Sequence, residues 1–138
     1  MIALYPIKPV YIERILSGEK KFELRRRLPK GKLDFILIYS TSPVSKVVGY
    51  AKVKSIKDGP LTAMWNKYSV KFGVNKKEYF EYFEGCENAK AIEFECVYKF
   101  RRPFLVSDIA SEMTVPQSFC YINEAAFNRV KKRVTDLV

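Results

Sequence analysis

The order of strand-forming and helix-forming segments is the feature of this sequence that most restricts its fold. Residues 34–39 and 46–56 are rich in β-branched and aromatic side chains, which predicts two buried strands with no helix between them. Residues 61–68 and 75–83 then have the apolar pattern of two consecutive helices. Because strands and helices do not alternate regularly, the order argues against a doubly wound fold. We expect an α+β domain with a mixed, curved sheet or a small barrel.

The remaining segments complete this prediction. The predicted strands are Met1–Pro6, Lys21–Arg27, Asp34–Tyr39, Lys46–Ile56 and Ala89–Phe100, the last of them interrupted by Arg101-Arg102-Pro103. The predicted helices are Pro9–Ser17, Leu61–Tyr68, Asn75–Phe83, a short turn at Ser107–Glu112 and Asn123–Val134. No internal repeat, low-complexity tract or linker is visible. We therefore expect one domain over residues 1–138, with a C-terminal helix in residues 123–138.

The charge of the chain favours a polyanionic partner. Twenty-five Lys and Arg residues stand against 15 Asp and Glu residues, a net charge of +10. The excess is concentrated in residues 1–57, which hold 13 basic and 4 acidic residues. Such an uneven excess is typical of proteins that bind nucleic acid. A solvated basic surface kept for solubility is the alternative.

Missing residue types restrict the chemistry further. The chain has no histidine, which excludes Ser-His-Asp and Cys-His mechanisms as well as histidine-ligated zinc. The three cysteines are an odd number without CxxC spacing, which favours reduced thiols over a disulfide framework. Nothing in the sequence demands a metal or a cofactor. The start lacks a signal-peptide pattern and no segment has the 18 apolar residues of a membrane span, so we expect a cytoplasmic protein.

The segment from Ser17 to Arg25 is the most informative in the chain. A predicted helix ends at Gly18 and leads directly into a strand, with Lys20 in the turn, where its ammonium can reach over the helix end. Because successive side chains of a strand point to opposite faces, Lys21, Glu23 and Arg25 are expected on one face of that strand. The cations could hold a phosphate, and Glu23 could accept a hydrogen bond or act as a base. A ladder of surface ion pairs is the alternative reading.

The residues Gly18-x-Lys20-x-x-Glu23-x-Arg25 resemble the GxKxxExR signature of ASCH domains, which are relatives of the PUA RNA-binding fold. The preceding helix, the segment from Phe35 to Pro43 and the segment from Val47 to Ala51 also lie where this family has them. The segment from Pro116 to Tyr121 is similar to a P-Q-S-F-x-Y element of one ASCH subgroup, whose members are often described as predicted regulators. The resemblance covers about residues 1–122.

The resemblance implies a PUA-like β-barrel with helices at its rim and a cleft beside the signature. It implies RNA binding, cleavage of single-stranded RNA, or amide hydrolysis of acetylated cytidine. The amidohydrolase members have a threonine nucleophile where Glu23 stands here, and Lys71-Phe72-Gly73 lacks the further acid expected of them. The candidate ligand-binding residues are Lys20, Glu23, Arg25, Tyr39, Ser40, Thr41, Ser42, Gln117 and Ser118.

Two functions follow from this reading. The first is a binding module that holds RNA or a nucleotide-like ligand in the cationic cleft. DNA is a less favoured partner of this module, and its role could be regulatory. The second is a small hydrolase, either a ribonuclease or an amidohydrolase acting on a modified nucleoside, in which Lys20 and Glu23 would be catalytic. The sequence does not indicate an oligomeric state.

Overall fold

The computed structural model describes all residues from Met1 to Val138. The strands are β1 (Ile2–Ile7), β2 (Phe22–Arg25), β3 (Phe35–Ser40), β4 (Lys46–Pro60), β5 (Asn88–Phe104), β6 (Cys120–Ile122) and β7 (Thr135–Leu137). The helices are α1 (Pro9–Leu16), α2 (Leu61–Phe72), α3 (Lys76–Tyr82) and α4 (Glu124–Lys131), with a 3₁₀ turn at Val106–Asp108.

The strands form one mixed, curled sheet in the order β2-β5-β4-β3-β1-β6, and β7 pairs with β5 beside this path. Only β1 and β3 run parallel, and the other pairs are antiparallel. Bulges interrupt the register between β3 and β4 and between β4 and β5, and bulges bend the strands that carry them. The expected α+β fold with a mixed, curved sheet is confirmed.

Local sequence explains where the helices begin. Pro9 occupies the first turn of α1, where its missing N–H costs nothing. The predicted capping box of α3 is present, because Asn75 accepts from the backbone N–H of Glu78 and Glu78 accepts from that of Asn75. Asn123 accepts a hydrogen bond from the backbone N–H of Ala126 and so caps α4.

The structure corrects the prediction at the C-terminal end. The helix expected in residues 123–138 ends at Lys131, and β7 follows it and pairs with β5. The interruption expected at Arg101-Arg102-Pro103 is also wrong, since β5 continues to Phe104. Pro103 is tolerated because it lies beyond the residues paired with β7 and within the bulge between the pairs Gly49–Lys99 and Val47–Phe104 of β4 and β5.

Alternate residues of the central strands enter different cores. Leu4 and Leu37 face a cluster that includes Phe127 of α4. Tyr5 and Ile36 face the second cluster, together with residues of α1. A third cluster joins β2 to α2 and α3. Both faces of the sheet are therefore covered, and α2 and α3 pack against β2 at the edge of the sheet.

None of the helices combines the length and the apolar character needed to cross a bilayer.

Candidate functional site

The turn between α1 and β2 carries Lys20 to the C-terminal end of α2. Gly18 takes φ +85° and ends α1, and the backbone N–H of Lys20 then donates to the carbonyl of Arg14 at 2.9 Å. The ammonium of Lys20 donates to the carbonyl of Phe72, the last residue of α2, at 2.9 Å. Lys20 is only 2% exposed. Lys20 thus reaches over the end of α2 rather than of the helix that precedes it.

Three consecutive carbonyls at the end of α2 are held in this way. The backbone N–H of Lys21 donates to Lys71 at 2.8 Å, Lys20 Nζ donates to Phe72, and Arg14 Nη1 donates to Gly73 at 2.9 Å. Carbonyls at a helix C-terminus have no partner within the helix, so these bonds satisfy groups that would otherwise need water. The signature segment is therefore the cap that joins α2 to the sheet.

Glu23 and Arg25 form a largely buried ion pair on β2. Arg25 donates to Glu23 Oε2 from Nε at 3.1 Å and from Nη2 at 2.9 Å, and its Nη2 also donates to the carbonyl of Pro6 at 2.6 Å. The guanidinium lies 4.8 Å from the centre of the Tyr5 ring, a cation–π distance. The other oxygen, Oε1 of Glu23, has no hydrogen bond and is not among the enclosed, unpartnered polar atoms. It is therefore open to a ligand.

Lys20, Glu23 and Arg25 share the wall of one cavity of about 170 Å³, which we call the site cavity. The rest of its wall consists of Ile7, Lys8, Tyr11, Leu24, Val74, Glu78, Tyr79 and Tyr82. Lys21, predicted on the same face, is exposed and lines a separate surface depression with Glu95 and Lys99. The alternation along the strand thus predicted the shared face of Glu23 and Arg25 correctly. It was wrong for Lys21, because Lys21 precedes the first paired residue of β2.

Glu78 is a second carboxylate of the site cavity that the sequence reasoning missed. It pairs with Arg14 Nη1 at 3.3 Å and accepts from the Tyr11 hydroxyl at 3.4 Å. The backbone N–H of Asn75 and the Arg14 guanidinium lower the pKa of Glu78 and keep it ionised. Its capping-box pattern was the only signal in the sequence, and that pattern predicts a helix start rather than a cavity wall.

Burial shifts the pKa values of several groups in the site cavity. Desolvation lowers the pKa of Lys20, and the nearby carboxylate of Glu23 opposes this only in part. Burial raises the pKa of Tyr79 to about 12 and also raises that of Tyr82. The cavity therefore contains an ammonium that gives up its proton more readily than an ordinary lysine, beside tyrosines that stay neutral.

We expect Lys20 to titrate below the ordinary lysine value of about 10.4. Since its pKa is lower in the folded than in the unfolded chain, the unfolded state binds more protons between the two values, and stability rises with pH in that window. Lysine side-chain NMR over an alkaline pH series measures this, with the exposed Lys54 as reference. A Lys20 midpoint at or above 10.4 would show that Glu23, not burial, dominates.

The other predicted site residues do not line the site cavity. Tyr39 and Ser40 are buried at the end of β3, and Tyr39 packs in the core cluster that faces α4. Ser40 pairs with Ile7, a cavity residue, so it lies one strand away. Thr41 is half-buried in the turn that follows, and Ser42 beside it is exposed.

The predicted pair Gln117 and Ser118 is exposed in the loop before β6. The next residue, Phe119, packs on the Tyr5 ring at 5.6 Å, and Arg25 lies against that same ring. This loop therefore lies beside the site cavity without forming its wall.

Known proteins show the same sequence pattern and the same architecture. The ASCH domain model matches residues 6–97. The "ASCH domain-containing ribonuclease" of Zymomonas mobilis is 31% identical over 125 residues, which cover 88% of this chain and 84% of that protein. The large ribosomal subunit protein uL22 of Ureaplasma parvum is 36% identical over 105 residues, 75% of this chain but only 33% of that protein.

The crystal structure of the Zymomonas mobilis ASCH protein superposes with a TM-score of 0.83 at 28% identity, covering 98% of this chain and 96% of that one. The PUA-like fold that the signature implied is therefore confirmed. The agreement extends over sequence, element order and nearly the whole length of the chain, and we conclude that this chain belongs to the ASCH domain family.

Proposed function

We propose that this chain binds single-stranded RNA, seats one nucleotide in the site cavity and cleaves the RNA there. The observation that carries the proposal is the meeting of a buried ammonium, a guanidinium and a carboxylate with an open oxygen in one cavity of about 170 Å³. A cavity of about 150 Å³ holds a benzene-sized ring. A single base therefore matches the cavity in size, whereas a folded nucleotide chain does not.

Charge and aromatic content support RNA as the ligand. The chain carries a net charge of +10, which favours a polyanion. Tyr11 and Tyr82 in the cavity wall offer rings on which a base can stack. A base enters such a cavity only when it is unstacked and unpaired, which favours single strands over duplexes. The Zymomonas mobilis relative is named a ribonuclease.

The cavity residues supply a path for RNA cleavage by its own 2′-hydroxyl. Glu23 Oε1 takes the proton of that hydroxyl, whose oxygen forms a bond to the adjacent phosphorus while the bond to the 5′-oxygen breaks. Lys20 donates a proton to the leaving 5′-oxygen, and the lowered pKa of its ammonium suits it to this role. Arg25 stabilises the negative charge that develops on the phosphate oxygens. The products are a 2′,3′-cyclic phosphate and a 5′-hydroxyl end.

The amidohydrolase alternative is less well supported. Glu78 does supply a further carboxylate to the site cavity, although Lys71-Phe72-Gly73 does not. No serine, threonine or cysteine lines that cavity, however, so the threonine nucleophile implied for the amidohydrolase members has no counterpart there. The regulatory role implied by the P-Q-S-F-x-Y element has no support from the relatives described above.

The test compares RNA binding and cleavage by the wild-type protein and by Glu23→Gln. The amide keeps an oxygen that Arg25 can donate to but cannot take a proton, so we expect cleavage to fall by about 10²-fold or more while affinity is retained. Fluorescence anisotropy with a short labelled RNA measures binding, and gel electrophoresis measures cleavage. DNA of the same sequence should remain uncut, since it lacks the 2′-hydroxyl.

Glu95→Gln is the matched control, because Glu95 is half-exposed and lies outside the site cavity. If Glu23→Gln cleaved RNA as fast as the wild-type protein, Glu23 could not be the base. Binding without cleavage by the wild-type protein would reduce the function to that of a binding module. Absence of RNA binding would refute the proposal altogether.

A further inference from the structure

A second basic concavity lies at the far end of β5 from β2, where β5 separates from β7. Arg101, Arg102, Arg133 and Val134 form its entire wall, and its volume is about 370 Å³. We call it the arginine pocket. It shares no residue with the site cavity. The side chains of its wall offer three guanidinium groups and no acceptor, which favours a ligand rich in acceptors and an anion above all.

The pairing of β5 with β7 brings Arg101 and Arg102 close to the segment that holds Arg133 and Val134. Lys99 pairs with Asp136 and Phe100 pairs with Thr135. The backbone N–H of Arg101 donates to the carbonyl of Val134 at 3.1 Å, so the antiparallel alignment continues beyond the last paired residue. Arg102 and Arg133 follow where the two segments separate, and both line the same concavity.

Like charges that line one small concavity repel each other. Neither Arg102 nor Arg133 has an ion pair within 4.0 Å, whereas Arg101 is paired with Asp136 at 2.9 Å. The repulsion between the two arginines is therefore left uncompensated by any carboxylate. An anion bound between them would remove it.

Two of the guanidinium groups are already oriented. Arg101 donates to Asp136 from Nη2 at 2.9 Å and from Nε at 3.1 and 3.2 Å, which fixes its plane. The guanidinium of Arg133 lies 4.2 Å from the centre of the Phe104 ring. The Nε and Nη2 donors of Arg101 are therefore already used by Asp136, whereas Arg133 packs on a ring and keeps its donors free for phosphate oxygens.

From these observations we propose that the arginine pocket binds a phosphate group of an RNA backbone, between Arg102 and Arg133. Further exposed cations lie close to the pocket residues along the chain, at Lys99, Lys131 and Lys132. Several cations in the same part of the chain suit a polymer of phosphates better than one isolated phosphate ion. The choice of RNA as the source of the phosphate rests on the function proposed above, but the pocket is a separate contact, remote from the site cavity.

The test uses arginine Nε–Hε NMR signals and RNA affinity at several salt concentrations. Titration with a short single-stranded RNA should shift the signals of Arg102 and Arg133. Arg102→Gln should weaken RNA binding several-fold and reduce the magnitude of the salt slope by about 0.7, the value expected for one lost phosphate contact on a single strand. Lys54→Gln is the matched control, since it removes one exposed, unpaired charge elsewhere and should have a smaller effect.

Thermal unfolding at low salt separates lost binding from a damaged fold. Since Arg102→Gln removes repulsion, its melting temperature should equal or exceed that of the wild type. An unchanged salt slope in Arg102→Gln would overturn the proposal, and so would RNA-induced shifts absent from Arg102 and Arg133. If the Arg102 and Arg133 signals shifted with pyrophosphate but not with RNA, the bound phosphate group would not come from RNA. RNA shifts at Arg102 but not at Lys20 to Arg25 would refute the site cavity and leave the arginine pocket standing.

Discussion

Replacing Gly73 with alanine is expected to destabilise the protein by about 3 kcal/mol. Gly73 has φ +65°, a conformation that costs an alanine about 1–2 kcal/mol. A Cβ atom at this position would also overlap the Lys20 side chain and lie 2.8 Å from Lys20 Cα, which is part of the backbone. The clash cannot be relieved by a rotamer change, so the end of α2 would have to move away from Lys20. Urea unfolding measures the loss.

Gly85→Ala is the matched control for this substitution. Gly85 has a similar φ of +83°, but a Cβ atom there would meet nothing within 4 Å. Its cost should therefore be the conformational part alone, about 1 kcal/mol. Equal losses in the two variants would show that the contact between Gly73 and Lys20 is loose. The site cavity offers a second measurement, because displacement of Lys20 should lower RNA affinity in Gly73→Ala only.

Replacing Glu23 with alanine is expected to destabilise the protein by about 3 kcal/mol, the lower end of the range for breaking a buried ion pair. The side chains of Glu23 and Arg25 are 7% and 15% exposed, so the guanidinium left behind would be poorly solvated. Arg25 would keep the carbonyl of Pro6 as its one hydrogen-bond acceptor, together with the ring of Tyr5. Thermal or urea unfolding of the variant measures the effect.

The exposed pair Lys52–Glu95 provides the comparison, since its side chains are 51% and 49% exposed. Glu95→Ala should change stability by no more than about 0.5 kcal/mol. The double variant Glu23→Ala with Arg25→Met should recover part of the loss, because it removes the unpaired charge. A double variant less stable than Glu23→Ala alone would show that Arg25 contributes through its contacts with Tyr5 and Pro6 rather than through charge.

The local sequence pattern was sufficient to predict much of the fold and, within the signature, the pairing of Glu23 with Arg25. The capping residues and the β-branched runs act within a few positions, so α3 and the central strands could be predicted. The pairing of Glu23 with Arg25 also follows from period 2 on a single strand. The partner of Lys20 could not be predicted, because Phe72 lies far along the chain and only tertiary packing brings it near.

Tyr39 illustrates a different limit of sequence reasoning. Both faces of β3 are buried, so hydrophobicity does not distinguish the face toward α4 from the face toward α1. Alternation along β3 puts Tyr39 on the same face as Leu37, but only the packing of α4 on that face shows that it is a core rather than a ligand-binding surface. The strands β6 and β7 were missed for a related reason, since three residues are too few to show a periodicity.

The long pairing of β4 with β5 has a consequence for how this architecture can diversify. The ladder extends as far as Pro60 opposite Asn88, so α2 and α3 leave and rejoin the sheet at one paired position. Together they are an excursion from a closed hairpin, and the pairing of β4 with β5 is complete without it. Val74, Glu78, Tyr79 and Tyr82 of the site cavity all belong to that excursion, whereas Glu23 and Arg25 belong to the sheet. An exchange of the excursion would alter the ligand-facing wall without touching the β4–β5 ladder, but it must keep a carbonyl for Lys20 and apolar side chains against Phe22 and Leu24 of β2.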